Sequence, residues 1–188
     1  MKKKEREKQA KPTSTLLEGL KTLLIKVGVV ALVVFILFHY IFGITIVKND
    51  YMKPRLNPGD GVLYYRLDRQ FKGDDAVVYK DSEATRIGRI IAQEGDTVDI
   101  TNDGKLLVNG HQKDEANPYQ ILPHSSGPSY PYTVPKNSYF ILFDYREERT
   151  DSRYLGAISK DSILGIVSTL LRVRGKYKLD GENNHEKM

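Results

Sequence analysis

An uncharged apolar run between Lys26 and Lys48 sets the first limit on the fold of this chain. Its 21 residues, VGVVALVVFILFHYIFGITIV, include no Asp, Glu, Lys or Arg. At about 1.5 Å per residue, a helix of this length measures roughly 30 Å, the thickness of a bilayer's hydrocarbon core. The run therefore predicts a transmembrane anchor at residues 27–47.

A cleaved signal peptide is the main alternative to an anchor. The apolar core of such a peptide is usually about 7 to 15 residues long and ends in a small-x-small cleavage triplet. The run here is longer, and the residues near its end, FGITI, offer no good triplet. We therefore predict an uncleaved anchor.

The positive charge of the chain is concentrated before this anchor. Residues 1–26 carry eight Lys or Arg against three acidic residues, whereas the remainder carries 21 of each sign. An excess of Lys and Arg beside a span marks its cytoplasmic side. The prediction is a single-pass cell-membrane protein with a basic cytoplasmic tail and the start of a juxtamembrane helix at 1–26, and an extracellular domain after the span. The balanced charge of that domain argues against a nucleic-acid partner.

The pattern after the anchor predicts a mostly β domain at residues 48–180, built from antiparallel sheet. Short apolar runs alternate with turn residues such as Asn102-Asp103-Gly104, which favours a hairpin. The predicted strands lie at residues 61–65, 76–79, 89–92, 97–100, 105–109, 138–142 and 163–167. Residues 111–135 contain five prolines and are expected to form an exposed, irregular excursion. Residues 181–188 are expected to be a polar tail.

The chain offers no sign of a cofactor or a metal site. It has no cysteine, which excludes disulfides and thiolate ligands, so the exported domain must be stabilised by packing alone. A cysteine-free exported domain is compatible with a Gram-positive cell surface. No phosphate-binding loop or metal-binding motif is found in the sequence either.

Four segments follow one another along the predicted β domain. They read YMKPRLNPGD at 51–60, DDAVVY at 74–79, GRIIAQEGDTV at 88–98 and FDYREERTDSR at 143–153. In this order, behind a single anchor, they resemble the type I signal peptidases, whose first segment has the form Ser-Met-x-Pro-Thr-Leu-x-x-Gly-Asp. The resemblance covers nearly all of the chain after residue 25. It implies a signal-peptidase-like antiparallel β-sheet domain.

The resemblance also implies that the reactive groups of the family are missing. Family members cleave the peptide bond after a signal sequence, with a serine as nucleophile and a buried neutral lysine as base. The serine position is Tyr51, the lysine position is Gly88, and a related polar position is Arg149. The tyrosine oxygen lies at the far end of a rigid ring, and glycine supplies no base. No catalytic residue is therefore predicted.

Replacement bases near these positions are Lys48, Lys53, Arg86 and Arg89. Arginine stays protonated, and a lysine serves as a base only if burial lowers its pKa. Lys53 is expected to be solvated beside the old substrate groove. That groove is predicted to be formed by Tyr51, Met52, Pro54, Gly88 and Arg89. Structural roles are predicted for Gly95, Asp96, Asp144, Arg146, Asp151, Ser152 and Arg153.

A scaffold without its reactive pair is interpreted as a binding protein. Altered signal-peptidase-like proteins belong to Gram-positive pilus systems, so the resemblance implies an accessory or chaperone factor in sortase-dependent pilus assembly. The expected partners are a pilin subunit, a class C sortase, or both. Two alternatives stay open: an active signal peptidase with a displaced dyad, and a decoy that binds signal peptides without cleaving them.

Overall fold

A computed structural model describes residues 12–113, 117, 119–147 and 150–172 of the chain. The chain divides into two compact units, Met1–Ile41 and Phe42–Met188. In the first unit, helix α1 (Pro12–Ile36) continues into a π-helical segment (Leu37–Ile41). The part from Leu16 to Ile41 is long and apolar enough to cross a membrane, and most of its apolar side chains are exposed.

The predicted anchor at residues 27–47 is wrong at its outer end, because the helix stops at Ile41. Strand β1 (Phe42–Ile46) follows at once and pairs antiparallel with β2 (Gly61–Tyr65). A short apolar run with β-branched residues suits a strand as well as a helix, so periodicity does not separate the two. Gly43 leaves room for the Tyr64 ring, which lies where a Cβ at this position would be.

Within the described residues, eleven strands form two sheets in which every neighbouring pair is antiparallel. The predicted mostly antiparallel β fold is therefore confirmed. The seven-stranded sheet has the order β1-β2-β11-β3-β4-β9-β10, and the four-stranded sheet has the order β7-β6-β5-β8. The remaining strands are β3 (Ala76–Lys80), β4 (Thr85–Gln93), β5 (Thr97–Ile100), β6 (Leu106–Val108), β7 (His111–Gln112), β8 (Tyr132–Thr133), β9 (Ser138–Leu142), β10 (Ile158–Ser159) and β11 (Ile163–Leu171).

Two apolar clusters of the second unit lie beside the predicted site. One packs Val47, Met52 and Leu56 against Val62 and Phe143. The other includes Val77 and Tyr79 of β3, Ile90 of β4, Ile141 of β9 and Ile163 of β11. Central strands such as β3 and β9 are buried on both faces, which explains their nearly continuous apolar sequences.

The described part of the proline-rich segment at residues 111–135 is mostly irregular, as predicted, but it is not fully exposed. Its described ends form β7 and β8, and Ile121 and Val134 are buried in an apolar cluster with Phe140. Gly127 lies against the short helix α2 (Ser152–Leu155), close to the carbonyl oxygen of Arg153. Proline opposes regular structure but does not prevent apolar side chains nearby from joining the core.

Replacing Gly127 with alanine is expected to destabilise the domain. A Cβ at this position would lie 1.7 Å from the backbone oxygen of Arg153, so the segment or α2 must move. Overpacking of this kind typically costs about 1–3 kcal/mol, which thermal unfolding of the purified variant measures. Gly73→Ala is the matched control, because a Cβ there meets nothing within 4 Å. Equal melting temperatures for the two variants would contradict the close packing of this segment.

Candidate functional site

Tyr51 lies in the turn that joins β1 to β2. The N–H of Leu56 donates to the Met52 carbonyl (2.9 Å), and the N–H of Tyr145 donates to the Tyr51 carbonyl (2.9 Å). The Tyr51 ring stacks on the Phe143 ring, with centroids 4.5 Å apart and an angle of 24° between planes. The side chain is half-buried in this stack. It therefore covers the apolar cluster beneath it.

The guanidinium of Arg86, on β4, lies over the Tyr51 ring. Its central carbon is 5.9 Å from the Tyr51 ring centroid, and its Nε forms an ion pair with Asp81. Burial alone would raise the pKa of Asp81, but the N–H groups of Ala84 and Glu83, together with Arg86, outweigh it and hold that pKa below its usual value. Asp81 in turn raises the pKa of Arg86 despite burial. Arg86 therefore remains a cation and supplies no base.

Gly88 is buried in β4, opposite Val77 of β3. A Cβ at this position would lie 2.5 Å from Cγ2 of Ile141, and 3.3 Å from both the Leu142 carbonyl oxygen and Cε1 of Tyr79. The first of these distances is shorter than real side chains show, so a larger residue requires a neighbour to move. The position is consequently closed by core side chains.

The lysines near the site are accessible to solvent. Lys48 is exposed, and the side chain of Lys53 is 40% exposed and forms an ion pair with Asp50 at 2.8 Å. In residues 12–113, 117, 119–147 and 150–172, no lysine is buried. A general-base lysine in this chemistry requires burial, so none of the described lysines fits that role.

The predicted groove residues separate into two groups. Tyr51 and Arg89 are partly accessible and Pro54 is exposed, whereas Met52 and Gly88 are buried and support the surface from below. Arg89 makes a bidentate contact with Asp144, with N–O distances of 2.8 and 2.7 Å, and donates to the Asp74 carbonyl at 2.7 Å. These contacts fix β4 to the loop that follows Phe143.

A fully buried polar network lies at the start of α2. Arg153 donates to both carboxylate oxygens of Asp151, at 2.9 and 2.8 Å, and to the Arg146 carbonyl at 2.7 Å. Asp151 also accepts from the N–H of Phe143 (3.0 Å). Ser152 accepts from the N–H of Ile141 (2.9 Å). The network thus holds the residues that touch Gly88 and Tyr51.

Two further predicted structural residues lie in the turn between β4 and β5. Gly95 has a φ of +85°, which favours glycine, and the Asp96 carboxylate accepts from the N–H of Gln93 (2.9 Å) and from Asn109 (2.8 Å). These contacts define the turn and are separate from the Tyr51 contacts. Arg149 and the predicted tail at residues 181–188 lie outside the described residues.

A family model described as signal peptidase, peptidase S26, matches residues 20–171 of the chain. The chain belongs to this family. It is 29% identical over 164 residues to signal peptidase IB of Staphylococcus aureus strain Mu50, a match that covers 77% of this chain and 85% of that relative. It is also 29% identical over 175 residues to signal peptidase I P of Bacillus subtilis subsp. natto, covering 85% and 91%. The predicted likeness to type I signal peptidases is confirmed.

A crystal structure of a signal peptidase I from Enterococcus faecalis V583 gives a TM-score of 0.43 at 23% identity. The comparison covers 53% of this chain and 97% of that chain.

Three residues that the sequence analysis did not assign to the site contact Tyr51 or crowd the Gly88 position. Phe143 carries the Tyr51 ring, and Tyr79 and Ile141 close the space beside Gly88. Strand pairing contains a signal for Tyr79: because Val77 lies opposite Gly88, Tyr79 is a diagonal neighbour on the same face. The contact follows only from the β3–β4 register, and the motifs by themselves do not specify that register.

Proposed function

We propose that this S26 family chain is a membrane-anchored protein that binds an extended segment of a pilin subunit or a class C sortase and assists pilus assembly without cleaving peptides. The observation that carries the non-cleaving part is the closure of the Gly88 position by core side chains; the Tyr51 ring is, in addition, stacked on Phe143. The apolar helix at Leu16–Ile41 would be the anchor, with the basic residues before it in the cytoplasm and the β domain outside.

Peptide hydrolysis by this route requires a reachable nucleophile and a base within hydrogen-bond distance of it. Ser152 is fully buried, and its hydroxyl already accepts a hydrogen bond from Ile141. Tyr51 is held by Phe143 and lies below a permanently charged Arg86. These contacts support a binding role for the surface around Tyr51.

Strand β1 offers the backbone groups that an extended peptide needs. It is the last strand of its sheet and pairs only with β2 among the described residues. The unpaired edge of such a strand accepts another strand through main-chain hydrogen bonds. Ile44 and Ile46 are exposed on β1 and would contribute apolar contacts, while Tyr51 adds an aromatic surface five residues further on. Such an arrangement suits an exported segment in extended form.

Tyr51→Ala is expected to weaken binding of the pilin or sortase by about tenfold and to impair pilus assembly, because buried aromatic side chains dominate many interfaces. Affinity of the purified proteins and pilus polymerisation in cells measure the two effects. Tyr154→Ala is a control, since Tyr154 is also an accessible tyrosine but contacts the His124 ring of another segment edge-on. Unchanged binding and assembly for Tyr51→Ala would rule out the groove as the contact surface.

An active signal peptidase is the second candidate function. It is favoured by the two relatives named signal peptidases, of which the chain covers 85% and 91% at 29% identity. This candidate requires that other groups replace the serine and the lysine. A cleavage assay separates it from the binding role.

A further inference from the structure

We propose that the rings of Tyr119 and Tyr145, with the carboxylates of Glu147 and Asp50, form a second contact site beside Tyr51 that binds a Lys or Arg side chain of an extended peptide. We refer to these four residues as the Tyr145 site. This role rests on the proposed binding function. It gives the partner segment a chemical property, a basic residue close to the one that contacts Tyr51.

Hydrogen bonds hold Tyr145 and Tyr119 next to Tyr51. The N–H of Tyr145 donates to the Tyr51 carbonyl (2.9 Å), so the two residues lie on adjoining backbone segments. The Asn117 side chain donates to the Asp144 carbonyl (2.9 Å), and the N–H of Tyr119 donates to Oδ1 of Asn117 (3.0 Å). Tyr119 is thereby tied to the loop that carries Tyr145. A peptide that contacts Tyr51 therefore has the Tyr145 site within its reach.

The two rings of the site lie perpendicular to each other. Their centroids are 4.9 Å apart and their planes meet at 89°, so the edge of one ring faces the other. Both side chains are partly exposed, and within the described residues neither ring has a second aromatic contact or a cation over it. The Tyr51 ring differs, because it already contacts Phe143 and Arg86. The face of a tyrosine ring attracts a Lys or Arg cation, and this attraction is unused at Tyr119 and Tyr145.

Two carboxylates supply negative charge at these rings. The Tyr145 hydroxyl donates to Oε2 of Glu147 (2.7 Å), and Glu147 is exposed. In the part of the chain that the structure describes, no Lys or Arg forms an ion pair with Glu147. The hydrogen bond to Glu147 raises the pKa of Tyr145 above its usual value, and the nearby charge of Asp50 adds to this effect. The phenol therefore stays neutral, and the carboxylates carry the charge that a partner would meet.

A basic side chain suits the Tyr145 site better than other occupants. An apolar side chain would cover the carboxylates without pairing them, and burial of an unpaired charge is unfavourable. An acidic side chain would be repelled. Lys53 pairs with Asp50 at 2.8 Å, which leaves the Glu147 carboxylate for a cation from the partner. That cation would meet a carboxylate and an aromatic face together.

Synthetic peptides that differ at one residue test the site. The probes are acetylated peptides about seven residues long, with alternating Val and Thr to favour an extended form, and with Lys, Arg, norleucine or Glu at the centre. Biolayer interferometry with immobilised peptides measures their affinity for the full-length protein in a neutral detergent. We expect the Lys and Arg peptides to bind about fivefold more tightly than the norleucine peptide, because exposed cation–π contacts and ion pairs are individually weak. The Glu peptide should bind most weakly.

Three variants locate the preference for a basic residue. Glu147→Gln should reduce it to less than about twofold, because the ion pair is lost. Tyr145→Leu should also reduce it, and it keeps the backbone N–H that donates to Tyr51. Glu94→Gln is the matched control, since it removes one charge from an exposed glutamate in the turn between β4 and β5. The amide oxygen of that variant can still accept from the N–H of Asn137, so the full preference should remain.

The outcomes separate this site from the proposed function. Equal affinity for the Lys and norleucine peptides would overturn the site, even if Tyr51→Ala still weakened both. A Lys preference that persists undiminished in Glu147→Gln would overturn it too, and this exposed variant is informative whether or not Tyr145→Leu folds. Failure of every peptide to bind would reject the site and the groove together. The expected preference without binding of a pilin subunit or a class C sortase would reject those partners and leave the site standing.

Discussion

Full-length protein solubilised in detergent is expected to leave a precursor with a signal peptide uncut. Loss of either the nucleophile or the base costs about a millionfold in turnover in a serine protease, and Tyr51 and Gly88 supply neither. The Tyr51 hydroxyl belongs to a ring stacked on Phe143, and no described lysine is buried. Gel analysis of the precursor over several hours, at equal enzyme and substrate concentrations, measures the expected absence of product.

The assay needs a positive control and a test for contaminating peptidase. Signal peptidase IB of Staphylococcus aureus, a relative at 29% identity, is the positive control. Product formation by the native protein that persists at the same rate in Tyr51→Ala and Ser152→Ala variants would indicate either a contaminant or a different site. Product formation that copurifies with the native protein and falls in one of these variants would establish an active peptidase and contradict the proposed function.

The double variant Tyr51→Ser, Gly88→Lys tests whether restoring the two reactive groups is enough for cleavage. It restores both reactive groups but places a lysine 2.5 Å from Ile141 at its Cβ. We therefore expect it also to leave the precursor uncut, because the lysine side chain fits only if Ile141 moves. Signal-peptide binding without cleavage by the native protein would instead favour a decoy over a role in pilus assembly.

The sequence predicted the strands of the domain better than its first and shortest elements. Residues 61–65, 97–100 and 138–142 are strands with the predicted bounds, because each apolar run is enclosed by turn residues. Strand β1 was assigned to the anchor because no polar residue separates it from the helix. Strands β7, β8 and β10 are two residues long, and so short a segment carries no periodic pattern.

For the site, the sequence predicted the motif positions but not the side chains that contact them. Tyr51 and Gly88 were identified from the motifs, whereas the ring that carries Tyr51 and the side chains that close Gly88 were not. Tyr79 comes from β3, whereas Ile141 and Phe143 come from the end of β9 and the residue that follows it. Their convergence depends on strand register and on shifts of that register within β4 and within β11. A single sequence does not specify these features in advance.

Asp151→Leu is expected to destabilise the domain more than any surface substitution. Asp151 and Arg153 are both fully buried, and the variant leaves the Arg153 guanidinium without its bidentate partner. Breaking one side of a buried ion pair typically costs about 3–5 kcal/mol. The N–H of Phe143 also loses its acceptor, which loosens the residue beneath Tyr51. Chemical denaturation of the purified protein measures the loss.

The double variant Asp151→Leu, Arg153→Met separates the buried charge from the rest of the network. If the broken ion pair causes the loss, removal of both charges should recover much of it, because an apolar pair of similar volume is often neutral. Asp103→Asn is the control for charge loss at the surface, where the Asp103–Lys105 pair is more than half exposed, and it should leave the midpoint unchanged. A double variant as unstable as Asp151→Leu would assign the loss to the N–H groups of Phe143 and Arg153 instead. In that case, the network stabilises the surface around Tyr51 through backbone hydrogen bonds and not through its charges.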